Sequence, residues 1–65
     1  MGQAKIKLGE RVYRVEPGRP LDRVLRELGI LPTTVIALKG GKLVPLRRRL
    51  EPDEEIELVY VVSGG

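Results

Sequence analysis

The residues with the most chemical potential in this chain are its last three, Ser63-Gly64-Gly65, which follow a β-rich run. Two glycines at a carboxyl terminus have no side chains to pack. They offer a slim, pliable strip of backbone that ends in a carboxylate. Such a strip can thread a narrow channel and present its last carbon to chemistry supplied by another protein. A glycine-rich chain (8 of 65 residues) also produces such a pair by chance, or as a linker remnant, so the remainder of the sequence has to decide. Histidine and cysteine are both absent. That removes the commonest general base, soft nucleophile and metal ligands together. No catalytic side chain and no metal site is expected, which argues against a self-contained enzyme.

Sixty-five residues make one domain near the lower limit for a self-sufficient core. Without cysteine there is no disulfide, so packing and hydrogen bonds must hold it. A 42% hydrophobic fraction is ordinary for a folded domain. No apolar run approaches the ~18 residues that span a bilayer, and no secretory pattern opens the chain. The expectation is a cytoplasmic protein without a membrane partner. The net charge of +3 is unevenly spread. Residues 1–50 carry twelve bases against four acids, whereas residues 51–65 carry Glu51, Asp53, Glu54, Glu55 and Glu57 and no base. Two charged faces, and hence an oriented partner, are expected from that division.

The elements that must position the terminus follow from periodicity. Lys5-Ile6-Lys7-Leu8 alternates, Gly9-Glu10 is a turn, and Arg11 to Val15 returns, giving an amino-terminal hairpin. Glu16-Pro17-Gly18 ends it. Leu21, Val24, Leu25 and Leu28 then fall on one helical stripe. Pro20 suits the first helical position, and Gly29 suits a left-handed stop. Val35 to Lys39 reads as a buried strand, Gly40-Gly41 as a tight turn, and Lys42-Leu43-Val44 as a short return closed by Pro45. Leu50 is a candidate core anchor inside a loop. The run from Ile56 to Val62 is the longest strand, with Ile56, Leu58 and Tyr60 on one face and Glu57, Val59 and Val61 on the other.

One amphipathic helix must pack across one face of one sheet, so the chain is expected to be a two-layer α+β domain. A β-grasp is the natural arrangement: a mixed sheet of four to five strands with the last strand central. Residues 1–62 would form the domain and residues 63–65 a flexible Ser-Gly-Gly tail.

In that order the quoted segments, together with Val15-Glu16-Pro17-Gly18, Leu43-Val44-Pro45 and the stretch from Glu54 to the terminal Gly64-Gly65, resemble the ThiS/MoaD sulfur-carrier family. That family belongs to the ubiquitin-like β-grasp proteins. The resemblance runs from about residue 4 to the end, and Val44-Pro45 and the terminal glycines are its more specific parts. It implies that a partner activating enzyme, using ATP and Mg²⁺, adenylates the Gly65 carboxylate. A sulfur donor such as a cysteine desulfurase persulfide would then displace AMP and leave a thiocarboxylate. The sulfur would pass to a thiazole, a molybdopterin precursor or a tRNA base through a downstream synthase or thiolase. No cofactor is bound by the carrier itself. Gly64, and with it the small Ser63, would let the tail thread the adenylation site. The resemblance also implies a docking surface on the open sheet face, which the alternation assigns to Ala37, Val59 and Val61.

Two other functions compete. A ubiquitin-like protein modifier uses the same activated Gly65 but passes the acyl group to a lysine, and Lys5, Lys7, Lys39 and Lys42 are candidate acceptors in a second copy. Arg47-Arg48-Arg49 raises the third reading, a small RNA-binding β-grasp module of the TGS-like kind. With no Phe or Trp and only two Tyr, stacking platforms for single strands are scarce, and such a module has no use for a terminal Gly-Gly. The sequence therefore disfavours direct nucleic-acid binding.

Overall fold

The amino-terminal alternation folds as read, into β1 (Ala4–Leu8) and β2 (Arg11–Val15), an antiparallel pair with Ile6 opposite Tyr13. The computed structural model describes residues 2–61. The apolar stripe becomes α1 (Leu21–Glu27), whose Leu21, Val24 and Leu25 are buried. Pro20 stands one position earlier than expected, as the N-cap rather than the first helical residue. The reason is tertiary. The first free N–H groups of the helix are taken by the loop that follows β4 (Lys42–Val44): Leu21 donates to the Arg48 carbonyl at 3.0 Å and Asp22 to that of Leu46 at 2.8 Å. At the other end Gly29 adopts φ 82°. Its N–H reaches Arg26 O, and the Ile30 N–H reaches Leu25 O at 2.8 Å. This paired closure needs a left-handed residue at Gly29 and brings Ile30 back into the core.

A single 3-10 turn, Pro32–Thr34, leads into β3 (Val35–Lys39) and was not apparent from periodicity. Gly40 and Gly41 both have positive φ, 58° and 83°, as a two-residue turn of this twist demands, and they hand the chain to β4. The last strand, β5 (Glu55–Tyr60), starts one residue earlier than the alternation suggests and ends at Tyr60, leaving Val61 outside the strand. The sheet order is β2-β1-β5-β3-β4, with β5 parallel to β1 and antiparallel to β3. This is the expected α+β β-grasp, with five strands and the last of them central.

Ile6 and Ile56, directly opposite each other in register, form the floor of the core beneath Leu21, Leu25 and Leu50. Leu50 enters from a loop that is stitched to the residues before the helix. Gly18 N–H donates to Leu50 O at 2.7 Å, Leu50 N–H to Arg19 O at 3.0 Å, and Arg49 Nη1 to Gly18 O at 2.8 Å. Among the described residues no helix is long and apolar enough to cross a membrane, and no group of three or more acidic, His or Cys side chains is placed to hold a metal.

Leu25 is wholly buried at the centre of this contact. Leu25→Ala is expected to cost about 3 kcal/mol, a large share of the stability of so small a domain. Chemical denaturation checks this, and an unchanged midpoint would contradict the packing described.

Candidate functional site

The tail residues Ser63, Gly64 and Gly65 lie outside the described residues, so the site is described from its root upward. That root is β5, hydrogen-bonded on both sides. Pairing persists just past the strand, where the Val61 N–H donates to Thr34 O at 2.9 Å. Four residues follow Val61 in the sequence, a length that reaches at most about 14 Å.

The open face of the sheet, away from α1, divides into two halves. On one, Lys5 stands opposite Glu55 and Lys7 opposite Glu57 along the parallel pair. On the other, Ile36 stands opposite Val59, and Leu38 is flanked by Leu43 and Glu57. Val59 and Val61 are exposed, Leu43 more so, and Ile36 and Leu38 are half-buried. The assignment of Ala37 to this face is corrected. Ala37 is buried in the core opposite Leu58 and Val44, and its neighbours Ile36 and Leu38, expected in the core, are the ones that face outward. Val-Ile-Ala-Leu is apolar in both phases of a strand, so the run itself does not set which residues point in. The register with β5 sets it. Val59 fixes Ile36 as its outward partner, and the two-residue turn then fixes Leu43 opposite Leu38.

At the start of β5 the chain buries a charge. Glu54 is 5% exposed and accepts hydrogen bonds from Arg48 Nη1 at 3.1 Å and from the Glu51 backbone N–H at 2.8 Å. It is also paired with Arg48 Nη2 and, at 2.8 Å, with Lys39 Nζ. Burial pushes the Glu54 carboxyl up, but the hydrogen bonds from Arg48, Lys39 and the Glu51 N–H together outweigh it and hold the group at about 2. The hydrogen bond to Glu54 in turn raises Lys39 above the ordinary lysine value. A protonated, engaged ammonium is a poor nucleophile, so Lys39 is the least suited of the four candidate acceptor lysines. The arginine run is thereby dispersed: Arg48 joins Glu54, Arg49 binds Gly18 O, and Arg47 is exposed. Buried Glu54 was hidden in an acidic turn sequence, and only its position one residue before the strand hinted at a structural role.

A five-stranded mixed sheet crossed by one helix, its central strand leading into the carboxyl-terminal arm, defines the ubiquitin-like β-grasp class. The N-terminal ubiquitin-like domain of the 4931431F19Rik protein, solved in solution, superposes with a TM-score of 0.68 over 98% of this chain and 78% of that one, at 11% sequence identity. That likeness concerns the fold. No protein-family profile matches the chain. The chain is, however, 38% identical over 61 residues to the sulfur carrier protein TtuB of Thermus thermophilus, covering 92% of this chain and 94% of that protein. It belongs to the ThiS/MoaD-like sulfur-carrier family.

The depressed carboxyl of Glu54 gives the stability a pH dependence of definite sign. Its stabilisation is complete above the unfolded value, near 4.5, and is lost as pH falls towards 2. The melting temperature should therefore fall between pH 5 and pH 2, and Glu54→Gln should flatten that fall while costing about 3 kcal/mol at pH 7. Thermal melts across this range check both, and a wild-type slope retained in the variant would place the titration elsewhere.

Proposed function

We propose that the Gly65 carboxylate is the point at which sulfur is loaded, by adenylation and conversion to a thiocarboxylate. The full-length likeness to a sulfur carrier carries this reading, and the clamped root of the arm supports it. A carboxylate resists attack until one oxygen becomes a good leaving group. In a partner enzyme the Gly65 oxygen attacks the α-phosphorus of ATP, pyrophosphate leaves with Mg²⁺, and an acyl-adenylate results. The terminal sulfur of a donor persulfide then attacks the carbonyl carbon and AMP departs. A second thiol cleaves the donor's S–S bond, being oxidised to a disulfide as the thiocarboxylate is freed. Gly64 and Ser63 serve this by fitting a narrow channel. The absence of cysteine from the chain removes one internal nucleophile that would intercept the adenylate. The sulfur then goes to a downstream synthase or thiolase acting on a thiazole, a molybdopterin precursor or a tRNA base.

The activating enzyme also has to hold the body while it takes the tail. The apolar half of the open face, Ile36, Leu38, Leu43, Val59 and Val61, serves as its docking surface. It adjoins the root of the arm and has the desolvatable centre that protein interfaces need.

Intact-mass measurement of the chain recovered from its native cell is expected to show a gain of about 16 Da, as sulfur replaces a terminal oxygen, and deletion of Gly65 should abolish it. Gly-Gly remnants on lysines of other proteins, with no sulfur-bearing form, would instead establish the modifier reading. Val59→Asp should lower the kcat/KM of adenylation at least tenfold without changing the melting temperature. Equal activation of that variant would remove the docking surface from the account.

A further inference from the structure

The arginines of this chain fall into two groups. Arg19, Arg48 and Arg49 are engaged within the chain, by Glu27, by Glu54 and Glu51, and by the Gly18 carbonyl. The other five form no ion pair among the described residues: Arg11 and Arg14 lie on β2, and the remaining three are Arg23 and Arg26, one turn apart on α1, and Arg47, from the loop after β4. These three line a single open groove of about 410 Å³, with Pro20 and Asp22. Three guanidinium groups face one carboxylate there, and the Asp22 Oδ1 already accepts from the Arg23 backbone N–H at 2.8 Å. The free N–H groups at the start of α1 are spent on Arg48 O and Leu46 O, so the anion affinity of the groove rests on the arginine side chains. Like charges gathered on one concave surface repel each other until an anion joins them.

We propose that this groove binds the phosphate backbone of a folded RNA. Arginine forks match the paired oxygens of a phosphate and of a carboxylate alike, so the choice of occupant rests on what surrounds them. A protein interface draws its affinity from a buried apolar or aromatic centre ringed by weaker charges, and the exposed large apolar residues, Val12, Leu31, Leu43, Val59, Tyr60 and Val61, all lie outside this groove. A nucleic-acid backbone needs no such centre, because neutralising its phosphates and releasing their counterions supplies the affinity. The scarcity of aromatics, which counts against single strands, does not count against a helical RNA gripped by its phosphates. RNA in place of DNA rests on the carrier reading, in which a tRNA base is one acceptor of the sulfur. The groove runs along α1 from Pro20 to Arg26, beside Arg47. The arm departs from the other end of the sheet, where Tyr60 shares a groove with Leu8, Leu28 and Gly29 at the end of the helix. RNA held here leaves the arm and the open sheet face free.

Binding of the full-length protein to bulk tRNA, measured between 50 and 200 mM salt, tests the proposal. The triple variant Arg23→Gln, Arg26→Gln, Arg47→Gln is compared with a charge-matched triple at exposed positions elsewhere: Arg11→Gln, Arg14→Gln, Lys42→Gln. The groove variant should bind at least tenfold more weakly at 50 mM salt, with the log–log salt slope reduced by about 2, while the control changes less than threefold. Equal losses in both variants would reduce the effect to net charge and overturn the site. Absence of tRNA binding by the unaltered protein would do the same, and tighter binding to poly-glutamate than to tRNA would assign the groove to an acidic protein. Circular dichroism confirms that each variant is folded. The gain of about 16 Da at Gly65 is read separately: it should persist in the groove variant, and its absence from the unaltered protein would count against the carrier reading alone.

Discussion

The parallel pairing of β1 with β5 is the joint on which this structure depends. It brings a segment near the start of the chain against one near the end, Lys5 to Leu8 against Glu55 to Leu58. Without it the β1–β2 hairpin would be a separate two-stranded ribbon, marginal alone, apart from a three-stranded β5-β3-β4 sheet. With β5 joined to β1 the two become one five-stranded sheet with a continuous apolar floor, and α1 has a surface to cover. The same joint explains why the arm is rooted where it is. A central strand paired on both sides opens last, so the residue that hands the chain to the tail is held by the most protected part of the fold.

The charge asymmetry of the sequence does not survive as two opposed faces. Lys39 and Arg48, from the basic portion, fold onto Glu51 and Glu54 from the acidic one, and Lys5 and Lys7 stand beside Glu55 and Glu57. Most of the acidic segment is thus balanced within the chain. Burying Glu54 carries a desolvation cost, and only several simultaneous donors offset it. Those donors come from β3, the loop after β4 and the turn before β5, so one carboxylate ties together three pieces, and Glu51 reinforces the tie through its own pairs with Lys39 and Arg48.

The architecture was legible in the sequence because its signals are short-range and redundant. The stripe from Leu21 to Leu28, the glycines at 29, 40 and 41, and the prolines at 17 and 45 each punctuate the chain by local sterics. What escaped depends on register. The phase of Val35 to Leu38 is undecidable from an apolar run, which reads equally well with Ala37 outward, and it is the pairing with Val59 that turns Ile36 and Leu38 outward and Ala37 inward. The arginine run misled for a related reason. Three adjacent residues in a loop read as one patch, yet successive side chains there point to different neighbours, and Arg47 finds its company on a helix more than twenty residues earlier. The terminal glycines lie outside the described residues, so their reading as a carboxylate for a partner to activate rests on the sequence and stands as a proposal.

The distribution of features over the molecule bears on how a carrier meets several partners. The ends of β5 are separated by about 17 Å of extended strand. At one end the charged cluster around Glu54 and the loop carrying Arg47 gather, and at the other Val61 passes the chain to the arm. The apolar half of the open face runs along the arm's side of this axis, and the arginine groove lies on the helix layer behind it. A protein that took the open face would cover the root of the arm but not the groove, and an RNA in the groove would cover neither. If the open face and the groove serve as proposed, loading and delivery meet the chain on different layers. In a body this small, such a separation is possible only because the helix and the open sheet are the two sides of a single layer pair, so that every exposed surface belongs to one side or the other.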